Sequence, residues 1–263
     1  MNGMPSTEFP AEVAGLLGRL RDRLAAREDV VGVYVYGSLA TGDYSPAASD
    51  IDVVVLVRRE PDKAVTQDLK ELHTDLAGTG GPAGQLNCLY VAVDAASDPE
   101  RLCTYWFGDR MTQWQMKLLT QAELVAAGVA LHGPWPPPGL RPVPVADLQA
   151  AVHGEITGYW RRLSRKRRPW LQDTWVDHGL VVLPRAAALL TGGDLITKSE
   201  AISRLAAFGV PVSLIQEICA RRDGRPVTLG RSRRLSRALL ARRIMQDSIA
   251  RLSLLAAPSL HIN

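Results

Sequence analysis

A chain of 263 residues, 46% hydrophobic and 22% charged, has room for two domains of ordinary size and is too apolar to be disordered. No apolar run reaches the roughly 18 residues that cross a bilayer, and Met1 to Pro10 show no basic stretch followed by an apolar core, so neither a membrane span nor a secretory signal is expected. The net charge of +4 conceals an asymmetry, because residues 1–150 carry 12 Lys/Arg against 19 Asp/Glu and residues 151–263 carry 19 against 8. An acidic half suits metal ions and a basic half suits polyphosphate, although solvated faces would read the same way. Three widely spaced cysteines, Cys88, Cys103 and Cys219, form neither a zinc-like pair nor a disulfide framework, so a reduced, cytoplasmic protein is expected.

In chain order, Val13, Leu16, Leu17, Leu20 and Leu24 recur at helical spacing and predict a helix over 11–27. The β-branched and aromatic run 30–36 predicts a strand, closed by Gly37-Ser38. A small, polar, proline-containing loop follows, then a second strand over 51–57, a helix over 62–77, a glycine-rich turn and a third strand over 86–93. Residues 112–128 read as helix. The prolines of 134–138, with Pro142 and Pro144, mark a linker. Beyond it only helical spacing appears, over 146–168, 175–191, 199–207, 211–221 and 231–256. The expected fold class is α+β, with a mixed-sheet domain over 1–138 and an all-helical domain over 139–263.

Asp50 and Asp52 flank Ile51 at the start of a strand, so their side chains share one face. Two carboxylates beside an apolar run are costly unless cations neutralise them. Gly37 allows a phosphate to approach the backbone, and Ser38 adds a hydroxyl. Transfer of a nucleotide monophosphate needs these parts, because metal ions held by carboxylates clamp the attacking and leaving oxygens. Each motif alone is weak, and their conjunction at this spacing is strong.

The pattern of strand, Gly-Ser, spacer and Asp-Ile-Asp resembles the nucleotidyltransferase (DNA polymerase β-like) superfamily. Within it the chain resembles the aminoglycoside (3'')(9)-adenylyltransferases, through Tyr36-Gly37-Ser38, Ser49 to Asp52, Leu118 to Thr120, Val129 to Pro134, Val181 to Arg185, Leu190 to Gly192 and Thr197-Lys198. The resemblance implies ATP as co-substrate, two Mg²⁺ ions on Asp50 and Asp52, and phosphates held by Gly37, Ser38, Ser49, Arg185 and Lys198. It implies AMP transfer to a hydroxyl of an aminoglycoside-like small molecule, as in antibiotic resistance, with Trp170, Asp173, Trp175 and Asp177 near the acceptor. Two departures stand out. Cys88, with Asn87 beside it, aligns with the family's third-strand glutamate, and a buried thiol is a poor base and a soft ligand for magnesium. Arg110 stands where the family has a substrate-packing tryptophan, with Trp106 and Trp114 nearby.

Six cations between Arg161 and Arg168 suit RNA phosphates, although such a run is more often a solvated helix end. His132, His153 and His178 show no metal-ligand spacing. The leading expectation is a monomeric adenylyltransferase with nucleoside triphosphate and small-molecule partners, no membrane and no nucleic acid. Two alternatives stay open, a nucleotide-binding regulatory protein that has lost catalysis at Cys88, and nucleotidyl transfer to RNA or protein.

Overall fold

Valine-rich runs with no polar face are stable only where both sides of a sheet are covered, and two of them form the centre of this fold. They are β1 (Val30–Tyr36) and β2 (Ile51–Val57), followed by β3 (Leu86–Ala92), β4 (Leu102–Phe107), β5 (Arg110–Gln115) and β6 (Val129–His132). The computed structural model describes residues 8–255, which divide into two compact units meeting in sequence at Val143 and Pro144. Most of the N-terminal stretch read for a signal, and the last residue of the expected helix 231–256, lie outside the described residues.

Among the described residues of the first unit, six strands form one mixed sheet in the order β5-β4-β3-β2-β1-β6. Strands β2 and β3 run parallel, and the other neighbours run antiparallel. Helices α1 (Ala11–Ala25) and α2 (Lys63–Ala77) cover one face. Leu16 and Leu20 of α1 and Leu69 and Leu72 of α2 pack there with Val53, Val55, Cys88 and Tyr90. Burial of each large aliphatic side chain contributes about 1.5–3 kcal/mol. Asp62 caps α2, its carboxylate accepting from the Val65 amide at 2.9 Å. On the opposite face Tyr34, Val54, Leu56 and Leu89 pack with Met116 and with Leu124 of α3 (Leu118–Ala127).

The helix expected over 112–128 is a helix only from Leu118. Residues 102–115 form a hairpin instead, with Phe107 opposite Arg110 across Gly108 and Asp109. Gly108 adopts φ +67°, which a two-residue hairpin turn requires and a side chain resists. The strand-forming aromatics Tyr105, Trp106, Phe107 and Trp114, paired across the Gly108 turn, outweigh the helical spacing of Met111, Trp114 and Leu118.

The second unit is helical among its described residues. Helix α4 (Val145–Glu155) runs through a single π turn, Ile156–Trp160, into α5 (Arg161–Arg165), so the helix expected to reach 168 ends three residues early. Helices α6 (Asp173–Gly192), α7 (Lys198–Ser203), α8 (Val212–Arg222) and α9 (Arg231–Leu252) follow. Trp170 belongs to the core of this unit. It is fully buried, its indole N–H donates to Leu163 O at 3.3 Å, and its ring lies where a Cβ on Gly179 would need to be, 2.8 Å away. Contact with an acceptor, expected of Trp170, is not open to a ring in that place.

Candidate functional site

The turn after β1 is built around Gly37. Its φ of +69° is left-handed, and a Cβ placed on it would lie 3.2 Å from Asp52 Oδ2. Pairing of Tyr36 with Asp52 brings the two strands into this register. The Thr41 amide and hydroxyl both donate to Gly37 O at 3.1 Å, and the Asp43 amide donates to Ser38 O at 2.8 Å, so the turn is tied to itself. Ser49 braces the same loop from beneath. It is nearly fully buried and its Oγ accepts from the Ser45 amide at 3.0 Å, which gives it a supporting place rather than the phosphate contact expected of it. Tyr44 extends the bracing by donating to Gln85 Oε1 at 2.8 Å.

Asp50 is exposed and Asp52 half-buried, and strand parity puts both on one face of the sheet. Asp52 acts on two phenols, and Asp50 on one of them. Burial first, then Asp52, Tyr105 and Glu123, hold the Tyr36 pKa well above its ordinary range, against a hydrogen bond from Thr120. Burial, then Asp52 and Asp50, likewise raise that of Tyr105. The Tyr105 ring stacks on that of Phe107, 5.8 Å between centroids, and Phe107 is 49% exposed, so an aromatic shelf adjoins the carboxylates. The i, i+2 spacing of Tyr105 and Phe107 would have signalled this shelf had β4 been read as a strand.

The register of β3 corrects the expectation for Cys88. Asp52 pairs with Asn87 and Val53 with Cys88, so Asn87 is the residue on the aspartate face. Its Nδ2 donates to Asp52 Oδ1 at 3.3 Å. Cys88 points the other way, into the core under α1 and α2, where burial pushes its thiol up to about 12. An amide, not a thiol, therefore stands beside the aspartates where a third carboxylate would be expected.

Among the described residues no group of three His, Cys, Asp or Glu side chains is placed to hold a metal. Two hard carboxylates still match magnesium, which commonly takes one or two carboxylates and completes its octahedron with water and phosphate.

In the second unit the structure brings Arg185 and Lys198 together. Arg185 Nε donates to Ile196 O at 3.1 Å, and Lys198 opens α7 behind a capping box between Thr197 and Glu200. Burial, then Lys198 and Arg185, push the His178 imidazole down to about 4, although the residue keeps an exposed edge. Asp173 and Asp177 each already face an arginine, with Asp173 still 37% exposed. Arg221 grips Asp177 with two hydrogen bonds, 2.7 and 2.6 Å, and Arg237 lies 2.6 Å from Asp173. Glu217 completes this network, and Trp175, on the first turn of α6, is half-buried beside it in sequence.

Residues 17–124, which span the Gly37 turn and both aspartates, match the family model for a nucleotidyltransferase domain. The match lies wholly within the first unit, which thus carries a region similar to a nucleotidyltransferase domain and is followed in sequence by a helical second unit. Among solved structures the chain is similar to a spectinomycin adenyltransferase from Enterococcus faecialis, solved with ATP and spectinomycin, at TM-score 0.63 and 12% identity over 89% of this chain and 99% of that one. The likeness is one of fold, and in fold the chain resembles an aminoglycoside adenylyltransferase. None of the curated proteins compared matches the sequence.

Proposed function

We propose that the protein is a magnesium-dependent adenylyltransferase that moves AMP from ATP to a hydroxyl of an aminoglycoside-like small molecule, a modification that would blunt an antibiotic. The observation that carries this reading is the closure of the Gly37 turn on the Asp52 carboxylate with Asp50 on the same face, inside a nucleotidyltransferase domain. In the reaction the acceptor oxygen bonds to the α-phosphorus, the bond from that phosphorus to the β-bridging oxygen breaks, pyrophosphate leaves and the hydroxyl proton is released. Asp50 and Asp52 would hold up to two magnesium ions, which when bound neutralise the triphosphate and the leaving pyrophosphate. Gly37 leaves room for the phosphates and Ser38 offers them a hydroxyl, while Arg185 and Lys198 are cations of the kind that take phosphate oxygens.

Because Asp173 and Asp177 already face arginines, the acceptor is held through its hydroxyls and by stacking on Trp175 or Phe107 more than by ion pairs. The neighbour solved with ATP and spectinomycin supports both partner classes. Asn87 neither adds charge for a second cation nor accepts a proton, so turnover is expected to be slow. The same residue favours a second reading, a nucleotide-binding regulatory protein. Incubation with labelled ATP, magnesium and streptomycin or spectinomycin separates the two. Labelled AMP on the acceptor supports transfer, and magnesium-dependent ATP binding with no adduct supports the regulatory reading.

A further inference from the structure

We propose that the second unit carries a binding surface for single-stranded nucleic acid, made by the exposed cations Arg162, Arg165, Lys166, Arg167 and Arg168 together with the ring of Tyr159. It shares no residue with those proposed for adenylyl transfer. Five cations within seven residues repel one another, and a chain ordinarily relieves that by interleaving acids or by spending the charges on helix carbonyls. Neither relief is present. Among the described residues, none of the five is ion-paired to an acid. The carbonyls at the end of α5 are taken by other groups. Ser164 O accepts from Arg242 Nε at 2.8 Å and from Gln246 Nε2 at 2.9 Å, and Leu163 O accepts from Trp170 Nε1 at 3.3 Å and from the Lys166 amide at 3.0 Å. Arg242 from α9 does the capping, and the cations of the 162–168 segment stay in solvent.

A phosphate backbone matches such a row, since guanidinium forks take phosphate oxygens in pairs. Tyr159 supplies what a bare charge patch lacks. It is 42% exposed on the π turn, three residues before Arg162, while its neighbour Trp160 is buried and meets it edge-on at 5.2 Å. An exposed ring about one helical turn from Arg162 is a stacking platform for an unpaired base. A membrane surface fits less well, because residues 165–168 place no apolar side chain among the cations for insertion.

The test is anisotropy of a labelled, mixed-sequence single-stranded RNA of about 15 nucleotides on the full chain. Contacts to five phosphates imply a salt slope of about −3.5, hence about 100-fold weaker binding at ~200 mM than at ~50 mM salt. Replacing Arg165, Lys166, Arg167 and Arg168 together by serine is expected to weaken binding more than tenfold and flatten that slope. Tyr159→Ala is expected to weaken single-strand binding about tenfold and leave the slope unchanged. Arg167→Glu alone, at an exposed position, should show a smaller loss of the same sign and covers the case in which the fourfold variant misfolds. AMP transfer to a small acceptor should be unchanged in all of them, so this proposal and the adenylyltransferase reading fail separately. Absence of binding at ~50 mM salt, affinity for duplex or for anionic phospholipid vesicles equal to that for the single strand, or indifference to these substitutions would overturn it.

Discussion

Replacing Asn87 with aspartate tests the site in both directions. The side chain keeps its shape and gains a charge about 3.3 Å from Asp52 Oδ1, where Asn87 Nδ2 now donates. At an effective dielectric of ~20, two such charges repel by about 5 kcal/mol. Protonating one carboxyl at pH 7 to escape that repulsion costs about 4 kcal/mol from an ordinary pKa near 3.9. Asp52 is only half-buried, so these figures are ceilings for the metal-free protein. A loss of 2–4 kcal/mol would lower the melting temperature by roughly 5–15 °C. Magnesium reverses the sign, since a third hard ligand beside two carboxylates strengthens the site. Thermal melts with EDTA and with millimolar magnesium, with and without ATP, read both effects. The expected result is a variant less stable than wild type in EDTA, at least tenfold tighter for magnesium and faster in AMP transfer. Equal melts in EDTA, with magnesium affinity unchanged, would refute the placement of Asn87 in the metal site. Cys88→Glu should instead disrupt folding, because position 88 is fully buried among aliphatic side chains.

Three further outcomes follow from the same geometry. Gly37→Ala forces a side chain into left-handed backbone 3.2 Å from Asp52 Oδ2, and transfer should fall at least 100-fold while the melting temperature drops only a few degrees, as rate assays and calorimetry would show. His73 is fully buried, hydrogen-bonded to Tyr90 Oη at 2.7 Å and stacked on Trp106, and burial holds its pKa down to about 3. The unfolded chain binds a proton near 6.5 that the folded chain refuses, so stability falls as pH drops from about 6.5 towards 3, by at most about 1.4 kcal/mol per unit from this residue. Urea titrations at pH 7, 5.5 and 4.5 should show a shallower fall for His73→Phe, and parallel curves would remove His73 as the cause. Arg237 is 4% exposed between Asp173 and Glu217, and Glu217 keeps Arg233 at 3.2 Å when Arg237 is removed, so Arg237→Leu should cost about 2 kcal/mol by urea unfolding, against under 1 if the cluster is incidental.

The parts legible in the sequence are the ones whose signal is local. Gly37, Asp50 and Asp52 could be placed because a strand, a turn and a strand follow one another directly, and side-chain parity within β2 needs no partner. The β3 register was not legible. The chain re-enters the sheet through a 3₁₀ turn over Gly81–Gln85, and a one-residue slip there exchanges the two faces, which is how Cys88 came to stand for Asn87. The β4–β5 hairpin was hidden because Met111, Trp114 and Leu118 also fit a helical stripe. Asp173 and Asp177 looked open because their arginines come from α9 and α8, the latter 44 residues away, and only tertiary structure pairs them. Arg185 and Lys198, carried over as a pair, do share one segment through the Arg185–Ile196 hydrogen bond.

The most direct measurement is calorimetric titration of a non-hydrolysable ATP analogue into wild type and Asp52→Asn, each with magnesium and with EDTA. Micromolar binding to wild type that needs magnesium and weakens at least tenfold in Asp52→Asn is the expected result. Binding that is indifferent to magnesium, or unchanged in Asp52→Asn, would contradict a metal-nucleotide site at the Gly37 turn.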